Sequence, residues 1–259
     1  MKRSSRSSAL SILFILAIIT IGAVLWNMGE PSPIDQSVEQ QQTTPGQSNK
    51  AAAAFNKSER SLDDPASPWV IVNKQRPLNP ADYVPDLVIP SVGLRLPSSN
   101  PEMQVSKQAA PALEDMFAAA KKDGIDMIVA SAYRSYSLQV SVYGAEVKNN
   151  GQQQADRESA RPGHSEHQTG LAIDVGVPSR DCEVEQCFAD LPAGKWVAAN
   201  AYKYGFVLHY GKNQESVTGY TYEPWHLRYV GIDLSTEIHS QNNPPLETFF
   251  NLGPAANYR

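Results

Sequence analysis

Five histidines occur in the 259 residues, and two of them, His167 and His226, sit in segments that also carry carboxylates. The segments are Ser165-Glu166-His167-Gln168-Thr169-Gly170-Leu171-Ala172-Ile173-Asp174 and, far downstream, Glu223-Pro224-Trp225-His226. No HExxH pattern occurs, so the chain is not that kind of zinc protease. If Gly170–Gly176 is a strand, Leu171, Ile173 and Val175 share one face and Ala172, Asp174 and Gly176 the other. Asp174 then stands among small residues and can reach a ligand, and it would be costly if buried with nothing positive beside it. In Trp225–Val230, Trp225, Leu227 and Tyr229 share one face, and His226 and Arg228 share the other. Pro224 prevents a regular ladder, so a bend there can bring Glu223 round beside His226. Gly170 allows a similar turn after His167.

Two histidines and a carboxylate form a three-ligand zinc set with a fourth position for water. Zinc brings the pKa of such a water to about 7. A nearby unligated carboxylate can then act as general base and pass the proton to a leaving amine, a role that suits Glu223. Arg134, in Ser131-Ala132-Tyr133-Arg134-Ser135 directly after a predicted strand, is placed to meet developing oxyanion charge. Each residue also has a plainer reading, because a lone His or Asp is more often a satisfied structural group than a ligand. His164 then only orients a loop, His239 is a solvated helix residue, and Arg134 forms a surface ion pair. Spacing alone leaves both readings open.

The elements that must position these residues are mixed. Helices are predicted over Ala109–Lys122, Leu138–Val147, Gln154–Ala160, Lys195–Lys203, Asp233–Gln241 and Leu246–Asn251. Strands are predicted over Asp126–Ser131, Leu171–Val175, Gly205–Tyr210, Val217–Tyr222 and Trp225–Val230. Without regular βαβ alternation, this favours a single α+β domain around an antiparallel or mixed sheet. The domain is expected to span residues 68–259. Cys182 and Cys187 flank an acidic loop; a disulfide is favoured over a metal site, which would need further ligands nearby.

The first 29 residues hold three basic residues and no acid. The remaining 19 basic and 27 acidic residues leave the body at −8, with no electrostatic footprint for nucleic acid. Ala9–Leu25 is almost continuously apolar and follows Lys2, Arg3 and Arg6, so residues 1–28 read as a cytoplasmic tip and membrane anchor, or alternatively a signal peptide. Residues 29–67 read as a flexible, low-complexity tether. A single-pass membrane protein with its domain outside the cytoplasm is expected, or a secreted one if the segment is cleaved.

Ser165–Asp174 fits S-x-H-x-x-G-x-A-x-D, and Glu223–His226 fits E-x-W-H. With Tyr133-Arg134-Ser135 and Gln139, the chain resembles the VanY-like D-alanyl-D-alanine carboxypeptidases, zinc D,D-peptidases that share the fold of the Hedgehog signalling domain. The resemblance runs from about Val84 to Gly231. It implies one zinc ion per chain on His167, Asp174 and His226, Glu223 as catalytic base, and Arg134 on the substrate carbonyl and its oxyanion. It further implies that Ser165, Gln139 and Tyr210 line the pocket for a terminal D-alanine. One departure stands out: His209 occupies a place where relatives often have arginine, which bears on the edge of the pocket or its charge. The expected activity is removal of the C-terminal D-alanine from peptidoglycan stem peptides by a monomeric enzyme. The rival readings are an L,D-carboxypeptidase acting on tetrapeptide stems, and a non-catalytic zinc-containing wall-binding module.

Overall fold

The computed structural model describes residues 54–259. The expected anchor and most of the tether lie outside them. Among the described residues, no helix is long and apolar enough to cross a membrane.

Packing begins upstream of Pro68, where the domain was expected to start. Phe55 stacks on Trp69 with ring centroids 5.6 Å apart, an aromatic anchor within what reads in sequence as tether. A short pair, β1 (Leu87–Val88) and β2 (Val105–Ser106), precedes α1 (Ala110–Lys122). Pro111 sits in the first turn of α1, Lys121 and Lys122 complement its C-terminal end, and Leu113, Met116, Phe117 and Ala120 form its buried stripe.

Then follow β3 (Ile128–Ser131), α2 (Tyr136–Asn150), α3 (Gln152–Glu158), β4 (Ala172–Gly176), α4 (Pro192–Asn200), β5 (Phe206–Leu208), α5 (Glu215–Thr218), β6 (His226–Tyr229), α6 (Ile232–Ser240) and α7 (Leu246–Phe249). The main sheet has the order β3-β4-β6-β5, and every pair in it is antiparallel. Ile173, Val175, Leu227 and Val129 pack with Leu113, Met116 and Val197 in the main core. A second core joins Trp69 and Ile71 to Val207, Leu234, Ile238, Phe249 and Phe250.

One predicted strand is absent. Residues 217–222 contribute to α5 and the turn after it, because Gly219 takes φ +80°. Its missing side chain lets Lys74 and the carbonyl of Ala256 crowd the backbone, so the segment bends instead of adding a strand. Gly170, also at positive φ, ends the turn after His167. A Cβ there would lie 2.9 Å from the Ser106 nitrogen, so only glycine lets the chain turn from His167 into β4.

Candidate metal centre

The sheet register assembles the site. Asp174 pairs with His226 on one side and with Ser131 on the other, where an irregularity between Val129 and Ser131 shifts the register of β3. His167 enters from a 3-10 turn, Glu166–Thr169, that precedes β4. His167 Nε2 lies 3.3 Å from Asp174 Oδ2, and His226 Nδ1 lies 3.2 Å from Asp174 Oδ1. The two imidazole rings are perpendicular, 4.9 Å apart.

The far nitrogen of each ring is already engaged. His167 Nδ1 donates to the Ala132 carbonyl at 2.6 Å, and His226 Nε2 donates to Glu166 Oε2 at 3.1 Å. The lone pairs left over, on His167 Nε2 and His226 Nδ1, point at the same place as Asp174. One donor atom from each residue lies within 4.8 Å of the others, all three residues are buried, and Asp174 Oδ1 has no hydrogen-bond donor. An orphaned carboxylate oxygen between two oriented imidazoles fits a divalent ion, and the His₂Asp donor set suits zinc. Burial alone would raise the Asp174 carboxyl, but His167 and His226 outweigh it and hold it well below the usual range.

Glu223 stands beside this set without belonging to it. Pro224 bends the chain as expected, the His226 N–H turns back to the Glu223 carbonyl at 3.2 Å, and Glu223 Oε2 lies 3.6 Å from His226 Nδ1. Burial is the main cause that pushes the Glu223 carboxyl up to about 8; His226 opposes it and the Asp174 carboxylate adds to it. Both sit in a cleft of about 460 Å³, whose lining includes Arg134, Ser165, Tyr210 and Trp225. Arg134 is aimed by Gln139 Oε1 at 3.1 Å and Ser131 Oγ at 3.2 Å, while its Nε has no partner.

Two sequence expectations change. Gln139 does not line the cleft: it is fully buried behind it, donating to the Ala160 carbonyl at 2.7 Å while its oxygen orients Arg134. His209 is not at the pocket edge either. It is buried behind His226, its Nδ1 3.1 Å from Glu166 Oε2 and its Nε2 3.8 Å from Glu247 Oε2. Burial disfavours its charge, but the two carboxylates prevail and raise it to about 9. The two carboxylates thus favour its charged form, as they would favour an arginine there. His164 and His239 stay out of the site: His164 meets the Asn73 carbonyl at 2.8 Å, and His239 stacks on Tyr202. Cys182 and Cys187 are bonded, and their loop brings Val184, Glu185 and Gln186 to the cleft wall.

Sequence reasoning missed Glu166. Its Oε1 accepts from Arg228 Nη1 at 2.7 Å and its Oε2 serves both His209 and His226. Arg228, fully buried, is further held by the Val70 carbonyl at 2.8 Å. The signal was Arg228 itself: two residues after His226 in a strand, it shares that residue's face and needs a buried counter-ion.

A buried His-Asp-His set opening on a cleft, with a carboxyl of raised pKa and an oriented guanidinium on the same wall, is the centre of a metallopeptidase. The VanY family, described as D-alanyl-D-alanine carboxypeptidase, matches residues 102–232. The chain is similar to YodJ of Bacillus subtilis (strain 168), at 37% identity over 96% of this chain and 98% of that one. Among solved structures it is similar to the LdcB LD-carboxypeptidase, with 45% identity, TM-score 0.68, and 72% of this chain and 87% of that chain covered. It is also similar to the vancomycin resistance D,D-pentapeptidase VanY from a VanB-type resistance cassette, solved with Zn(II), at 33% identity, TM-score 0.59, and 70% and 98% coverage. The chain belongs to the VanY family and is a zinc carboxypeptidase.

Proposed function

We propose that this chain releases the terminal D-alanine from peptidoglycan stem peptides ending in D-Ala-D-Ala. The observation that carries the reading is the placement of the Glu223 carboxyl 3.6 Å from His226 Nδ1, at the mouth of the His167–Asp174–His226 set. Zinc held by those three residues would supply Lewis acidity toward the scissile carbonyl and toward water. Glu223 accepts the proton of the attacking water at its carboxylate and returns it to the nitrogen of the departing alanine. The new bond joins the water oxygen to the carbonyl carbon, and the bond that breaks is the peptide C–N. Arg134 holds the carbonyl oxygen as negative charge grows on it, and its orientation by Gln139 and Ser131 limits its reorganisation. Ser165 and Tyr210 line the pocket against the alanine.

A second reading, L,D-carboxypeptidase action on tetrapeptide stems, is supported by the 45% identity to the LdcB LD-carboxypeptidase. Both reactions release D-alanine and differ in the residue before the scissile bond. Mass spectrometry of products from defined penta- and tetrapeptide stems, with and without chelator, separates them. Loss of one residue from the pentapeptide alone supports the first reading, loss from the tetrapeptide alone supports the second, and loss from neither overturns both. The domain acts outside the cytoplasm in this proposal, held to the membrane by Ala9–Leu25. The disulfide suits an oxidising compartment.

A further inference from the structure

The cleft wall formed by α2 and α3 has almost no apolar anchor: Gln139 is the one buried residue of α2, and Ala155 that of α3. Polar contacts fasten it instead. Tyr143 Oη donates to Asp156 Oδ1 at 2.7 Å, and Asp156 receives Nε and Nη2 of Arg161 at 3.0 and 2.9 Å. Arg161 is in turn held by the end of the chain. Its backbone N–H donates to Tyr258 Oη at 2.8 Å, and its guanidinium lies 4.1 Å from the centre of the Tyr258 ring.

Tyr258 Oη also lies 3.3 Å from Tyr220 Oη, and Tyr220 lines the cleft. So do Ser159 and Ala160, the two residues before Arg161. Both accept from Gln139 Nε2, and the other end of that amide orients Arg134. The tail that delivers Tyr258 is itself pinned: Ala255 N–H donates to Val217 O at 2.6 Å, and Lys74 Nζ donates to Gly219 O and Ala256 O at 2.5 and 3.4 Å. All of this tail lies beyond residues 102–232, the stretch matched by the family.

We propose that Tyr258 is a positioning residue for the substrate cleft. It latches the α2–α3 wall and Tyr220 to the body of the domain, so that a stem peptide meets a preformed surface in register with Arg134. The inference rests on the carboxypeptidase reading above. The contacts of Tyr258 go to Arg161, Tyr220, Lys74 and His164, and Arg134 keeps its own hold on Ser131 Oγ, so loss of Tyr258 falls mainly on substrate binding and less on the chemical step.

The test uses the full chain, zinc-loaded, with Tyr258→Phe, which removes the hydroxyl and keeps the ring, and Tyr258→Ala, which removes both. KM for the stem peptide is expected to rise about fivefold in the first variant and about tenfold or more in the second. In both, kcat stays within about twofold of wild type and zinc content is unchanged. Amide exchange quickens at residues 156–161 while the core strands stay protected. An unchanged KM in both variants overturns the inference. So does a fall in kcat accompanied by zinc loss and faster exchange throughout the domain, which would mark a purely structural residue. A wild-type chain inert on both stems overturns the carboxypeptidase reading, and this inference with it.

Discussion

The Nε2 of His226 lies 3.1 Å from Glu166 Oε2, and this one hydrogen bond decides which ring nitrogen is left for the metal. Glu166 is anionic because Arg228 and His209 surround it: burial would raise its carboxyl, and the two cations hold it well below the usual range. A residue outside the ligand set thus fixes the tautomer of a ligand inside it.

Glu166→Gln should weaken zinc binding by about 10- to 100-fold, measured by competition with a chromophoric chelator. It should also destabilise the domain by about 3–5 kcal/mol in urea unfolding, because it strips the buried Arg228 of its counter-ion. Unaltered zinc affinity would show that the tautomer does not depend on this carboxylate.

Glu223→Ala should keep zinc and lose turnover by about 10²- to 10⁴-fold, the range for a general acid–base group. The ligand geometry does not depend on Glu223, so the metal content of purified variant and parent should agree. Steady-state release of D-alanine, measured beside zinc content, checks both halves. Undiminished turnover would remove Glu223 from the proton path.

The Cys182–Cys187 bond closes a short loop of sequence separation 5. A double replacement by serine should cost about 2 kcal/mol on the loop-entropy account. Because Val184, Glu185 and Gln186 of that loop line the cleft, KM should rise as well. Denaturant titration and steady-state kinetics on the same variant read the two effects separately. Stability and KM both equal to wild type would show that the bond constrains nothing of consequence.

Lys74 is buried, and that burial lowers its ammonium to about 8. The unfolded chain binds that proton up to about pH 10.4. Between the two values the unfolded state holds more protons than the folded one, so the Lys74 contribution to stability becomes more favourable as pH rises from about 8. Lys74→Met should be less stable overall, having lost its bonds to Gly219 and Ala256. The stability difference between wild type and variant should widen across that window. Thermal unfolding of both proteins at a series of pH values checks the slope, and a difference independent of pH would contradict it.

Some of this was legible before any fold was known. Alternation along Gly170–Gly176 and Trp225–Val230 separated Asp174 and His226 from the bulky residues beside them, and both stretches are strands that pair directly, Asp174 opposite His226. Pro224 announced the bend that returns Glu223 to the site. The helical period of Ala109–Lys122 marked α1, whose buried stripe includes Leu113, Met116 and Phe117. Such features are local: they follow from the two-residue period of strands, the 3.6-residue period of helices and the missing N–H of proline.

What only the tertiary structure decided is how distant buried charges are shared. Glu166 stands at an unspecified position of the S-x-H pattern, yet it neutralises Arg228 from 62 residues away in sequence. His209 was placed at the pocket rim and lies instead between Glu166 and Glu247; Gln139 was placed against substrate and holds the wall from behind. The turn after Gly219 and the latch at Tyr258 depend on a C-terminal tail docking beneath the cleft. A residue's own sequence neighbourhood gives its face and its chemistry. Its partner in a low-dielectric interior is whichever opposite charge or donor the folded chain brings within about 3 Å, and no periodicity encodes that choice.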